Sequence, residues 1–266
     1  MNGRKTRKGW AIVGLRHAKH CATMAGLEMK QNVSILPSLL AGDFGHLEES
    51  ALQAQAAGGD ALHLDIMDGH FAPNLSMGPD VVRMAHRCVR IPLSVHLMLT
   101  RPDHFVDQFI EAGADPLLIH VESQCDVADT LRRIRAKGVR PGLALNPETP
   151  ARALDPYWGA FEEVLCMTVH PGFGGQAFME EVLPKITEIF RQARRHSEQG
   201  RAGALPVDIG VDGGIDMETV KRVAGAGANI IIAGSSLYKA ADMGHDVTAM
   251  RTLAEKAWRD AITKSG

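Results

Sequence analysis

Eight short β-branched or apolar runs recur along this chain, at 33–38, 61–67, 93–98, 116–121, 140–145, 163–169, 207–212 and 229–233. Longer amphipathic stretches separate them, such as "HLEESALQAQAAG", "RPDHFVDQFIEAG", "DVADTLRRIRAKG" and "MEEVLPKITEIFRQARRHSEQG". Several of these end in glycine (Gly58, Gly113, Gly138, Gly200), which suits a left-handed helix stop. Asp126 and Asp216 stand where a side-chain oxygen would open the next helix. Strands that are apolar along their whole length need cover on both faces, so the alternation predicts a parallel sheet wrapped by helices. Eight repeats in one chain of 266 residues predict a closed (β/α)8 TIM barrel, of class α/β. A doubly wound open sheet would gather its polar residues at one crevice. Here polar residues recur at the C-terminal ends of strands throughout the chain, so the barrel is preferred.

Residues 32–266 are expected to form one catalytic domain, with no linker inside it. Residues 1–31 differ from the rest. They carry Arg4, Lys5, Arg7, Lys8, Arg16, Lys19 and Lys30 against one acid, Glu28. Such a composition fits a transit peptide or a nucleic-acid-binding arm. It equally fits a tail with no ordered role, or a start assigned ahead of Met24 or Met29, and this blander reading is the expectation adopted. For the chain as a whole, a formal net charge of −2 and 5% aromatic residues argue against nucleic acid as partner. No apolar run is long enough to span a membrane. Cys21, Cys88, Cys125 and Cys166 are scattered without a C-x-x-C pair and read as reduced thiols of a cytoplasmic protein.

The chemistry is expected at the strand ends. In "ALHLDIMDGH" the residues His63, Asp65 and Met67 are two apart, so in a strand they share a face, leaving Leu62, Leu64 and Ile66 to the helices. His96 and Met98 in "PLSVHLML" repeat the pattern, as do Gly210 and Asp212 in "VDIGVDGG". A lone His in such a run is usually a hydrogen-bonded core residue. Two imidazoles and two carboxylates, all at strand ends, make a plausible site for one divalent metal. Asp65 and Asp212 come from distant segments and could approach a substrate from two sides, as moving a proton between the faces of a carbon requires. A metal there would polarise a ketone. Met67, Met98 and Met167 would wall the site with a soft apolar surface, although core filling explains methionines as well.

Three glycine-rich stretches follow the last three strands: "HPGFGGQAF" at 170–178, "VDGGI" at 211–215 and "AGSS" at 233–236. Barrels often bind phosphate after strands seven and eight, where backbone N–H groups open helices. One such stretch is usually only a turn; three on adjacent strands point to a sugar phosphate. None is a Walker loop or a dinucleotide fingerprint.

At these residues the sequence resembles the ribulose-phosphate 3-epimerase family. The matching segments are "PSLLAGDF", "HLDIMDGHFAPNLSMGP", "SVHLML", "GLALNPETP", "MTVHPGFGGQAF", "VDGGI" and "AGSSLY", spread from Val33 to Ala254. The resemblance implies a (β/α)8 barrel of the ribulose-phosphate-binding type. It implies an isomerase that interconverts D-ribulose 5-phosphate and D-xylulose 5-phosphate in the pentose phosphate or carbon-fixing pathway. It implies that His63, Asp65, His96 and Asp212 bind a divalent zinc, iron, manganese or cobalt ion. Asp65 would accept a proton and Asp212 donate one, with the roles exchanged in reverse. Ser38 and His96 would contact substrate. Gly172, Phe173, Gly174 and Gly175 would close over it, and Gly213, Gly214, Gly234 and Ser235, beside Asp212, would hold the phosphate. A homo-oligomer paired through helix faces is also implied.

Two departures stand out. The basic extension lies outside the family pattern, and His170 stands where the family more often has Asn, Asp or Glu. His120 and Asn146 lie near strand ends and are expected either to orient the metal-binding residues or to be satisfied interior polar groups. Rival readings are a D-allulose-6-phosphate 3-epimerase, a phosphosugar decarboxylase and a non-catalytic sugar-phosphate-binding barrel. The decarboxylases resemble one another in an Asp-x-Lys-x-x-Asp motif, and here Met67 stands in place of the lysine.

Overall fold

The structure, a computed structural model, describes residues 33–198 and 207–264. The basic extension and the expected stop at Gly200 lie outside the described residues.

Eight parallel strands form one sheet: β1 (Ser34–Pro37), β2 (Leu62–Met67), β3 (Leu93–Met98), β4 (Leu117–His120), β5 (Pro141–Leu145), β6 (Glu163–Met167), β7 (Asp208–Asp212) and β8 (Ile230–Ala233). Each strand sits beside its sequence neighbours, and β1 also pairs with β8. The seam between β1 and β2 closes the barrel through one bridge, Ser38 with His63. Lower on that seam Asp60 takes over from strand pairing. Its N–H donates to the Ile35 carbonyl (2.9 Å), and its carboxylate accepts the Ile35 N–H (2.7 Å).

The helices are α1 (Leu47–Ala56), α2 (Pro79–Cys88), α3 (Val106–Ala112), α4 (Val127–Ala136), α5 (Leu183–Glu198), α6 (Thr219–Gly225), α7 (Ser235–Tyr238) and α8 (Met243–Lys264). Every expected strand is present. The connection after β5 is not an α-helix but a 3-10 segment, Ala151–Tyr157. Pro150 precedes it and Pro156 lies inside it, so α-helical hydrogen bonding cannot propagate there. Asp126 caps α4 by accepting the Asp129 N–H. Asp216 stands three residues before α6, and its carboxylate accepts the N–H groups of Glu218 and Thr219. Gly113 ends α3 in the left-handed region, at φ 109°.

The strand period of two sorts the side chains. Leu62, Leu64 and Ile66 join the core between strands and helices. Inside the barrel, Leu36, Leu118, Ala144, Leu165, Met167, Ile230 and Ile232 form a separate apolar cluster. Gly142 leaves room for it, since a Cβ there would come 2.5 Å from Leu118 Cγ. On β2 and β3 the interior positions before the terminal Met67 and Met98 are instead polar (His63, Asp65, Ser94, His96), and all four are buried. That polar sector, with Asp212 on β7, locates the site.

Candidate active site

Parallel register puts the polar side chains of β2 and β3 in contact. Asp65 lies opposite His96, and His63 opposite Ser94. Asp65 Oδ1 is 3.1 Å from His96 Nδ1 and 3.2 Å from His63 Nε2. Its other oxygen, Oδ2, accepts a hydrogen bond from Ser38 Oγ at 2.7 Å. His63 Nδ1 meets Ser94 Oγ at 3.1 Å, which fixes that ring from behind. His96 Nε2 meets His120 Nε2 at 2.8 Å, and His120 Nδ1 meets Glu122 Oε2 at 2.9 Å. Ser94 and Glu122 are additions to the residues picked from sequence. Ser94 is two before His96 on β3, so strand period would have flagged it, whereas Glu122 lies in the turn after β4, where that period no longer applies.

His63, Asp65, His96 and Asp212 each bring one ligand atom into a group whose members lie within 4.8 Å of one another. His63 Nε2 is buried and makes no hydrogen bond, although a carboxylate oxygen is 3.2 Å away. A buried polar nitrogen left this way costs roughly 1–3 kcal/mol. A cation between imidazole and carboxylate removes that cost, and two nitrogens with two oxygens suit a divalent transition metal. The residues therefore fit a metal.

The two carboxyls are electrostatically unlike. Burial opposes charge on Asp65, but His63 and His96 outweigh it and hold the carboxyl well below the usual range. The Asp212 carboxyl is enclosed although the residue as a whole is partly exposed. Burial, with the charge of Asp65, pushes it up to about 7. Burial also takes His96 down to about 4. For His63 burial acts in the same sense, yet the attraction of Asp65, Asp212 and Glu163 raises it.

Asp65 and Asp212 open onto one cavity of about 390 Å3 at the C-terminal mouth of the barrel. Ser38 and the methionines Met67, Met98 and Met167 line its depth. The stretch Gly172–Gly175, the pair Gly213 and Gly214, and Gly234 with Ser235 line its rim. His63 and His96 are fully buried beneath the wall rather than part of it. Gly213 and Gly214 have φ of 118° and 65°, and Cβ atoms there would come 2.3 Å from Val169 Cγ2 and 2.6 Å from Phe178 N. Only glycine fits both the angle and the space. Asn74 Nδ2 donates to the Gly172 carbonyl at 2.7 Å, tying the segment after β2 to the glycine-rich segment after β6. His170 reaches the surface and pairs with Glu148 at 3.0 Å. The Asn146 side-chain oxygen is buried without a hydrogen bond, and it is the backbone of Asn146 that serves the site, by donating to Glu122.

The family model described as "Ribulose-phosphate 3 epimerase family" matches residues 34–238, which contain every strand and every residue of the site. The chain belongs to the ribulose-phosphate 3-epimerase family. It is 40% identical to the ribulose-phosphate 3-epimerase of Bacillus subtilis over 82% of this chain and 98% of that one. It is 37% identical to the Escherichia coli enzyme of the same name, over 84% and 96%. A cytoplasmic isoform from Oryza sativa is 40% identical over 83% and 94%. Among solved structures, 3-hexulose-6-phosphate synthase overlays with a TM-score of 0.58 at 16% identity, covering 83% of this chain and 99% of that one. Thiamine phosphate pyrophosphorylase from Pyrococcus furiosus gives 0.58 at 14%, over 85% and 98%. At that distance the likeness is one of fold, and the fold is the TIM barrel of the epimerase family. No helix among the described residues is long and apolar enough to cross a membrane.

Proposed function

We propose that this chain is a ribulose-phosphate 3-epimerase, an isomerase that inverts C3 between D-ribulose 5-phosphate and D-xylulose 5-phosphate. One observation carries the reading: two carboxyls from separate strands, Asp65 on β2 and Asp212 on β7, meet at one cavity whose rim is glycine-rich. Asp65 takes the proton from C3, and the electron pair of the broken C–H bond moves into an enediolate across C2 and C3. Asp212 delivers a proton to the opposite face of C3, and the roles exchange in the reverse direction. The Ser38 hydroxyl, donating to Asp65 Oδ2, aims the base and reaches the substrate. The three methionines exclude water from the enediolate. The segment Gly172–Gly175, with Phe173, covers the sugar. Gly213, Gly214, Gly234 and Ser235 receive the phosphate, helped by N–H groups that the first turn of α7 leaves unbonded within the helix.

His63, Asp65, His96 and Asp212 would hold one divalent ion (zinc, iron, manganese or cobalt), whose contribution when bound is to polarise the C2 ketone. A cytoplasmic location belongs to this reading. It is supported by the absence of disulfides at Cys88, Cys125 and Cys166 and by the name of the rice relative.

The test is a coupled assay on D-ribulose 5-phosphate and D-allulose 6-phosphate, before and after chelation and with each metal restored. Metal-dependent turnover favouring the pentulose is expected. Preference for the hexulose would overturn the substrate. Binding without turnover under any metal would make the chain a non-catalytic sugar-phosphate barrel.

A further inference from the structure

A line of polar groups, from two fully buried histidines to a half-buried carboxylate, leads away from the site that the proposed chemistry does not use. It runs from His96 Nε2 to His120 Nε2 (2.8 Å) and from His120 Nδ1 to Glu122 Oε2 (2.9 Å). The two rings stack at 5.0 Å with 27° between planes, and Phe71 packs on His120 at 4.5 Å, so neither imidazole can turn freely. Glu122 is anchored in turn. Its Oε1 accepts the Asn146 N–H at 2.9 Å and the Thr149 hydroxyl. The Asn146–Thr149 turn is held by Lys185, whose buried Nζ donates to the carbonyls of Asn146 (2.7 Å), Pro147 (3.0 Å) and Thr149 (3.0 Å).

Donor and acceptor roles along this line follow from the Glu122 end once a cation occupies the Asp65 end. An ionised carboxylate only accepts. Burial opposes the charge on Glu122, but His120, Thr149 and Asn146 outweigh it and keep the carboxyl below its ordinary range. His120 must then carry its proton on Nδ1, which leaves Nε2 as an acceptor. His96 must donate from Nε2, which leaves the lone pair on Nδ1. That nitrogen lies 3.1 Å from Asp65 Oδ1, within hydrogen-bond distance, so without a cation the Asp65 carboxylate competes for the same proton, and a cation held between the two settles that competition in favour of Nε2.

We propose that Glu122 is a positioning residue that sets the tautomer of His96 through His120, so that His96 offers a bare Nδ1 to a divalent cation. This rests on the reading of His96 as a metal ligand. In Glu122→Gln the amide oxygen stays with the Asn146 N–H, and the amide NH2 faces His120 Nδ1. Every role in the line then reverses, and the His96 proton moves to Nδ1.

The test uses the full-length chain, stripped with chelator and with Zn2+ alone added back. Long-range 15N–1H NMR reads the histidine tautomers, and calorimetry reads Zn2+ affinity. In the unaltered protein loaded with Zn2+, His96 is expected as the Nε2–H tautomer and His120 as Nδ1–H. Either one found in the opposite form overturns the proposal without any variant, even if Glu122→Gln fails to fold. Metal-free Glu122→Gln is expected to show His96 as Nδ1–H and His120 as Nε2–H, and to bind Zn2+ about 10–100-fold more weakly. Thr149→Val loosens the same anchor but keeps the carboxylate, and should change affinity by less than about threefold. Equal losses in Glu122→Gln and Thr149→Val would reduce the effect to loop packing and overturn the inference. The reading beneath it is judged separately by His96→Ala. If that variant binds Zn2+ like the unaltered protein, His96 is no ligand, and both fall.

Discussion

Asp65 and Asp212 share a residue type and a cavity, and their surroundings separate them. Two imidazoles hold the Asp65 carboxyl well below its ordinary range, while enclosure beside that charge pushes the Asp212 carboxyl up to about 7. In the proposed mechanism this difference suits Asp65 to accept the proton and Asp212 to deliver one. Asp65→Asn and Asp212→Asn should each lower kcat by about 10²–10⁴-fold in the coupled assay. Near-normal turnover in either would end the two-carboxylate mechanism. Asp68, next to the same strand, has a different job. Its Oδ1 accepts the N–H groups of His70 and Phe71, and its Oδ2 that of Thr100 (2.8 Å). Partial burial works against its charge, but these N–H groups prevail and hold the carboxyl below its ordinary range. In the unfolded chain an Asp takes its proton near about pH 4. As pH falls, the unfolded state therefore binds protons first. Asp68 adds stability above about pH 4, and that contribution is lost as pH drops through the lower folded value. Asp68→Asn should keep most turnover, lose about 1–2 kcal/mol at neutral pH, and flatten the acid limb of stability in urea. An unchanged acid limb would show that Asp68 is not coupled to folding.

Strands and loops divide the labour. The strands supply the polar groups of the site at fixed register, so the pairing of Asp65 with His96 follows from the pairing of β2 with β3. The glycine-rich loops supply a close-fitting rim, and their requirement is steric. At Gly213 the backbone has positive φ and a Cβ would collide with Val169. Gly213→Ala should therefore displace the rim at a strain of about 1–3 kcal/mol and raise KM for the sugar phosphate about tenfold or more, with kcat affected less. An unaltered KM would remove Gly213 from the phosphate site. Elements were largely legible in the sequence because each announces itself locally: a strand by its apolar run, a helix by its amphipathic period and glycine stop. The segment after β5 broke the pattern. Pro150 and Pro156 interrupt it, and their effect on a repeat expected to be helical was the one local signal the alternation overrode.

At the scale of the molecule, the barrel must close between its first two strands, where a single bridge does the backbone pairing. Asp60 strengthens that seam with two bonds to Ile35, and Arg251 of α8 holds the same carboxylate at 3.0 Å. Asp60→Ala should cost about 1–3 kcal/mol in urea unfolding, since it strips a partner from the Ile35 N–H. An unshifted midpoint would mean that the helices alone keep the barrel shut. Closure also explains what could and could not be read beforehand. The count of strands, the side each residue faces and the set His63, Asp65, His96 and Asp212 were contained in the sequence, because period two and strand-end polarity are properties of single segments. The link from Glu122 to His96, the stitch at Asp60 and the burial of His96 beneath the cavity wall were decided only by the tertiary structure. Each depends on how one strand is registered against another, and no local pattern carries that information until the sheet has closed.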